Sequence, residues 1–248
     1  MNNKRKSSGI IIIGDEILSG KTLDTNSQFI SKELSTRGVD VREINTIEDE
    51  IDTIVNKVQL FSKNFDYVFV TGGIGPTHDD KTSESIAKAC NQELILNTRA
   101  KSLLEKHYKK KGLTKSRLKM AFLPEKAKLI NNPVSLAPGF NVENIFVFPG
   151  VPKIMEVMFH EFIDSFLERS ILPQMQISTI LAEGIIGEFI EKKQMENKDV
   201  KIGSYPYFKD QSFGVTLILK GTNIKKLEEV CNEIFNYLSE KNGKPIIF

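Results

Sequence analysis

Between Asp66 and Asn91 the chain passes from an apolar run ending at Val70, through Thr71-Gly72-Gly73-Ile74-Gly75-Pro76-Thr77-His78-Asp79-Asp80, into a segment with helical spacing. A strand that ends in a glycine loop and resumes as a helix is the repeating part of a mostly parallel α/β sheet, in which crossover helices return the chain to lay strands side by side. The neighbouring segments obey the same alternation. Ile10 to Ile13 and Val39 to Ile47 read as strands. Thr25 to Arg37 reads as a helix stopped by Gly38, and Glu50 to Lys63 as a helix with Ile51, Ile54, Val55, Val58 and Phe61 on one face. After a mostly helical excursion from Arg99 to Phe122, Lys128 to Asn131 and Ile145 to Phe148 supply further strands. Pro152 then opens a helix whose Met155, Met158, Phe159, Phe162 and Phe166 form a core stripe.

At Pro173 the order changes to strand, helix, strand, strand, helix, strand, from Gln176 to Phe248. That order predicts a small ferredoxin-like α+β domain over 173–248, following an α/β domain over 1–172. Composition narrows the function classes. With 40% hydrophobic and 27% charged residues the chain is an ordinary globular one, and its longest aliphatic run is too short to span a bilayer. Lys4, Arg5 and Lys6 precede too few apolar residues for a secretion signal, so a cytoplasmic location is expected. A net charge of +2 gives no reason to expect nucleic acid as a partner, and the run Lys109, Lys110 and Lys111 reads as a solvated helix end. Cys90 and Cys231 are too isolated for a disulfide framework or a zinc site, and the three histidines make no metal motif.

The stretch Gly14 to Thr22, GDEILSGKT, imitates a phosphate-binding P-loop but has one residue too many between its glycines. It also places Asp15 and Glu16 where backbone amides are needed. The loop from Thr71 to Thr77 suits an anion better: glycines at 72, 73 and 75 admit a phosphate to the backbone, and a helix N-terminus follows. A tight structural turn would use the same glycines. Asp79 and Asp80 beside an anion cradle would repel the ligand unless a divalent cation such as Mg²⁺ sits between them; the alternative is one helix cap and one solvated acid.

Taken together, GDEILSG at Gly14 to Gly20, Asp24-Thr25-Asn26, TGGIGPTHDD with Thr82 after it, Ala137-Pro138-Gly139-Phe140 and Pro149-Gly150-Val151-Pro152 resemble the CinA N-terminal family. This family has MoaB/Mog-like molybdopterin-binding domains and also occurs in eukaryotic FAD synthases. The tail from Ile202, IGSYPYF, is similar to the family's small second domain. The resemblance implies a ligand pocket at Asp15, Glu16, Asn26, Gly72, Gly73, Gly75, Pro76, Thr77, Thr82, Gly139 and Gly150. It implies catalytic roles for Asp49, Asp79 and Asp80, with Asp79 and Asp80 as metal ligands. It further implies a nucleotide or pterin ligand, with molybdopterin a candidate. The expected cofactor is a divalent cation (Mg²⁺, Mn²⁺ or Co²⁺), with K⁺ as a further candidate, and the expected assembly a homo-oligomer. The expected activity is metal-dependent pyrophosphatase chemistry on ADP-ribose or FAD, against the alternatives of adenylyl transfer in cofactor synthesis and a non-catalytic binding module. Ser135-Leu136 and Ile154-Met155 depart from the family pattern at the expected rim, and Phe189 replaces a usual serine. The nicotinamide-nucleotide deamidase domain of CinA would follow Phe248, so no deamidase activity is expected of these residues.

Overall fold

The computed structural model describes residues 5–109, 112–209 and 212–248; Lys4, Lys110 and Lys111 of the basic runs lie outside them. The chain divides into two compact units, Met1–Ser170 and Ile171–Phe248.

In the first unit, β1 (Lys6–Ile13) is followed by a single helical turn α1 (Asp15–Leu18), α2 (Asn26–Ser35), β2 (Val39–Ile47), α3 (Ile51–Asn64) and β3 (Tyr67–Thr71). Then come α4 (Thr82–Ala89), β4 (Leu94–Leu96), α5 (Thr98–Tyr108), α6 (Lys115–Lys119), β5 (Phe122–Pro124), β6 (Lys128–Ile130), β7 (Gly139–Val142), β8 (Ile145–Phe148) and α7 (Pro152–Phe166). The main sheet has the order β2-β1-β3-β8-β7-β6. Its first four strands are parallel, and β7 and β6 are antiparallel additions at one edge. The sequence pattern missed α1, β7 and the small β4–β5 pair.

Successive side chains of a strand point to opposite faces, so four isoleucines in a row demand cover on both. Ile11 and Ile13 pack with Ile54, Val58 and Phe61 of α3 and Ile86 of α4. Ile10 and Ile12 pack with Ile30 and Leu34 of α2 and with Met155, Met158 and Phe159 of α7. The methionines and phenylalanines of α7 are thus core, and the result is a helix–sheet–helix sandwich.

β1 pairs with β2 on one side and β3 on the other, so the chain reverses its direction of travel across the sheet there. In open α/β sheets this leaves a crevice beyond the carboxyl ends of the strands.

At the opposite end Asp66 ties β3 to β1. Its carboxylate accepts from Lys6 Nζ at 2.7 Å and from the Ser7 amide and hydroxyl at 2.8 Å each. The Lys6 bond first, then the Ser7 donors, hold the Asp66 carboxyl well below the ordinary range. A carboxylate with a depressed folded-state pKa stabilises the fold above its unfolded pKa of about 3.9, and that contribution fades as pH falls through the folded value. Asp66 is partly exposed, so solvent screening limits the effect. Asp66→Asn is expected to cost about 1 kcal/mol at pH 7, and less as the pH drops below about 4. Urea denaturation of both proteins from pH 3 to 7 checks this, and an equal difference at every pH would reject it.

The second unit comprises β9 (Gln174–Thr179), α8 (Glu183–Glu196), β10 (Val200–Lys209), β11 (Ser212–Gly221), α9 (Ile224–Glu240) and β12 (Ile246–Ile247). Its antiparallel sheet has the order β10-β11-β9-β12, the ferredoxin-like arrangement expected from the element order. Ile177, Leu217 and Leu219 bury against Leu227, Val230, Cys231 and Ile234 of α9.

Among the described residues no helix is long and apolar enough to cross a membrane. Both cysteines are free thiols, and burial raises both, Cys90 to about 11, which makes them poor nucleophiles.

Candidate functional site

The carboxyl ends of β1, β3 and β8 and the turn after β2 converge on one cavity of about 440 Å³. The end of β1 and the turn of α1 supply Ile13, Gly14 and Glu16, the turn after β2 Asp49, the loop after β3 Gly72 to Gly75 with Asp79 and Asp80, and the turn after β8 Pro149 and Gly150.

The glycine loop is held mainly by its own chain. Gly72 sits at φ 108° with its amide on Phe148 O at 3.1 Å, and a Cβ there would stand 2.1 Å from Ile13 O. Gly73 sits at φ 65°, where a Cβ would come 2.3 Å from the Thr82 hydroxyl. The absence of a side chain at these two positions is thus already demanded by neighbouring protein atoms, whatever occupies the cavity they line. Thr82, fully buried, closes the turn: its amide donates to Gly73 O at 3.0 Å and its hydroxyl to Gly72 O at 2.9 Å.

Asp80 locks the other half. Its Oδ1 accepts from the Gly75 amide at 2.7 Å, and its Oδ2 from the Thr77 amide at 2.7 Å and from the Thr77 hydroxyl. The expectation that all amides from 72 to 77 cradle an anion is thereby narrowed. Gly72, Gly75 and Thr77 donate within the protein, and Pro76 has no N–H. Among the described residues the Gly73 and Ile74 amides alone in this stretch lack an intramolecular acceptor, and both residues line the cavity.

The acids differ in their surroundings. Asp49 Oδ2 accepts from the Asp15 amide at 3.0 Å, while the Asp49 amide donates to Asp15 Oδ1 at 3.4 Å, a reciprocal clasp between the ends of β1 and β2. Burial first, and then the charges of Asp15, Glu16 and Asp79, raise the Asp49 carboxyl above its ordinary value. Asp79 is the reverse: the Thr77 hydroxyl beside it first, then its own amide, hold it below the ordinary range. Lys119 reaches across from α6 to donate to Thr77 O at 2.6 Å, and Lys81 pairs with Glu50 at 2.8 Å.

Asn26, only 6% exposed, donates both Nδ2 hydrogens, to Thr71 Oγ1 at 2.9 Å and to Gly150 O at 2.8 Å. Thr71 passes the chain on to Pro149 O at 2.9 Å. Asn26 thus pins together the start of α2, the end of β3 and the turn after β8.

Of the residues expected at the site, Glu16, Asp49, Gly72, Gly73, Gly75, Asp79, Asp80 and Gly150 line the cavity. Asp15, Asn26, Pro76, Thr77 and Thr82 surround or brace it without lining it. Gly139 lies in β7, where a Cβ would meet Val147 O at 2.4 Å, so its smallness serves sheet packing. Sequence reasoning missed Asn132, which is buried and builds the wall from 132 to 137. Its Nδ2 donates to Ser135 Oγ at 2.8 Å and Ala137 O at 2.7 Å, and its Oδ1 accepts from the Val134 and Ser135 amides at 3.0 Å each. The Asn-Pro step at 132 to 133 was the available turn signal.

Residues 9–169 match the family model described as "Probable molybdopterin binding domain". The chain belongs to the MoaB/Mog-like molybdopterin-binding-domain family, in its CinA-related branch. Residues 173–244 of this CinA-related chain match the middle domain of FAD synthase. A protein of Archaeoglobus fulgidus is 34% identical over 94% of this chain and 98% of its own length. A CinA-like protein of Fusobacterium nucleatum is 31% identical over 94% of the chain, and a protein of Caenorhabditis elegans described as "Probable FAD synthase" is 32% identical over 95% of it. The chain spans 59% of the former and 50% of the latter. The crystal structure of CinA from Thermoplasma acidophilum superposes with a TM-score of 0.62 at 36% identity, covering 65% of this chain and 98% of that one.

Proposed function

We propose that the MoaB/Mog-like cavity binds a nucleotide through its diphosphate and hydrolyses that diphosphate with the help of a divalent cation. The observation that carries this reading is the cavity's lining: two open amides, at Gly73 and Ile74, beside Glu16, Asp49, Asp79 and Asp80, with no lysine, arginine or histidine among the lining residues. Four carboxylates around a diphosphate repel it unless a cation intervenes, so the donor set fits hard-cation chemistry. Among the described residues no three His, Cys, Asp or Glu side chains are grouped closely enough to hold a metal ion, so such an ion would have to draw most of its ligands from phosphate and water. Asp79 would hold such an ion directly, with Asp80 fixing the loop behind it. Bound there, it would neutralise diphosphate charge and polarise the phosphorus.

The protein's own groups do the rest. The Gly73 and Ile74 amides bind a phosphate oxygen and fix the diphosphate across the carboxyl ends of β1 and β3. Asp49, clasped by the Asp15 amide, takes a proton from a water whose oxygen attaches to phosphorus, while the bridging P–O bond breaks and its electron pair leaves with the departing phosphate. The raised carboxyl of Asp49 suits it to accept that proton.

ADP-ribose, FAD and NAD offered to the purified chain with Mg²⁺, Mn²⁺ or Co²⁺ are expected to release AMP in at least one combination. Absence of AMP in all of them would reject hydrolysis. The pterin reading rests on the family description and on the apolar wall of Ile13, Met120 and Ile154, which suits a flat ring. Tighter binding of a pterin than of any nucleotide in the same panel would favour it.

A further inference from the structure

The four acids that line the cavity, and the two open amides, all belong to segments that follow β1, β2 or β3. Across the sheet order β2-β1-β3-β8-β7-β6, they occupy one half. The other half ends in a different wall. Ile130 pairs with Gly139, and β7 runs antiparallel to β8, so the turn between β6 and β7 also lies beyond the carboxyl ends of the parallel strands. That turn contributes Asn132, Ser135 and Ala137 to the cavity and α7 contributes Ile154, all of them uncharged. A ligand whose diphosphate lies on the Gly73 and Ile74 amides meets this neutral wall with its remaining part.

The Asn132 side chain, 2% exposed, can lie only one way round. Its Oδ1 accepts from the Val134 and Ser135 backbone N–H groups, and on its other side Ala137 O requires a donor. Nδ2 is therefore also the donor to Ser135 Oγ at 2.8 Å, and the serine oxygen is the acceptor. The single proton of that hydroxyl is left without an acceptor among the described residues. Leu136, the next residue, sits at φ 56°, a left-handed conformation that a leucine keeps only where its surroundings over-determine it. Its amide is tied to Asn132 O at 3.1 Å, so the turn that carries Ser135 is fixed from both sides. Thr22 is the other hydroxyl residue lining the cavity; it is exposed, and no side chain among the described residues holds its hydroxyl.

We propose that the Ser135 hydroxyl donates to an acceptor atom on the ligand's base and selects for bases that present one, with Asn132 as the residue that frees and positions its proton. The inference rests on the nucleotide reading of the cavity and deepens it. A ring atom is the partner in preference to a phosphate oxygen, because the open amides and the carboxylates stand in the β1–β3 half, while Ser135 has Ala137 and Ile154 beside it in the lining of the other half. Adenine offers suitable acceptors at N1, N3 and N7. Ser135 is among the rim residues that depart from the CinA pattern, so the contact belongs to this chain.

Calorimetry on the full chain with Mg²⁺ tests this with ADP and inorganic pyrophosphate, which share the diphosphate and differ in the nucleoside. Ser135→Ala is expected to weaken ADP binding about 3- to 10-fold, the loss of one neutral hydrogen bond, and to leave pyrophosphate binding unchanged. Ser135→Thr keeps a hydroxyl and should restore ADP binding. Among 1-deaza-, 3-deaza- and 7-deaza-ADP, one analogue should bind the unsubstituted chain more weakly by the same factor and lose nothing further in Ser135→Ala, which identifies the accepting atom. Equal weakening of ADP and pyrophosphate, unchanged ADP affinity, or no analogue coupled to Ser135 overturns the assignment. An unsubstituted chain that binds neither ADP nor pyrophosphate overturns the diphosphate reading together with it. AMP release retained alongside full ADP affinity in Ser135→Ala removes the Ser135 contact and leaves that reading standing.

Discussion

Gly72→Ala is expected to destabilise the first unit by about 3–5 kcal/mol, the largest stability effect of any small substitution around the cavity. Two costs combine. At φ 108° an alanine is strained by about 1–3 kcal/mol. The new methyl would also lie 2.1 Å from Ile13 O, an atom of the central strand's backbone. That backbone has little room to give, because β1 pairs with both β2 and β3 and Ile12 stands opposite Thr71, one residue before the glycine. The Gly72 amide is fixed to Phe148 O on the other side. Relief therefore means shifting strand ends that also form the cavity floor, so ligand binding should fail with stability. Gly20→Ala separates the two costs: Gly20 has φ 72° but nothing within 4 Å of an added Cβ, and should lose only the backbone strain, about 1–2 kcal/mol. Thermal or urea unfolding of both variants measures the difference. A Gly72→Ala protein as stable as Gly20→Ala would mean that the overlap with Ile13 is not real.

The same strand ends show what was legible in the sequence. The isoleucine run of β1 and the apolar stripes of α2, α3 and α7 announce a sheet covered on both faces, since burial of both faces leaves no polar alternation to see. The element order of the second unit implied its sheet order for a similar reason, because few topologies accept that order. The glycine loop and its acids were visible as a motif, but the division of labour within it was not. Whether an aspartate faces the cavity or its own loop depends on a few ångströms of backbone. Asp80 spends its oxygens on Gly75 and Thr77, which no spacing rule distinguishes from the neighbouring Asp79. Asn132 escaped because its task is to shape a turn from within, with partners set by the fold of 132–137. α1 escaped because a single turn has too few residues for periodicity.

That division of labour yields the second large effect, a contrast between Asp49→Asn and Asp80→Asn. Asparagine at 49 keeps an oxygen for the Asp15 amide but cannot take a proton, so AMP release should fall by about 10²–10⁴ with ligand affinity nearly kept. Stability should hold or rise, because a carboxylate ionised against burial and three neighbouring charges works against the folded state, and the substitution removes it. Asparagine at 80 is a different injury. One carboxylate oxygen becomes an NH₂ group, which faces an amide donor at Gly75 or at Thr77 and leaves it without an acceptor. The loop that positions the open Gly73 and Ile74 amides then loosens, and affinity falls together with turnover. Asp80→Asn thus damages the loop's structure as well as removing a charge, because the carboxylate is bonded to the loop amides. Ligand binding by calorimetry beside AMP release distinguishes the variants. Lost turnover with intact affinity at Asp80, or lost affinity with intact turnover at Asp49, would exchange the roles assigned to the two acids.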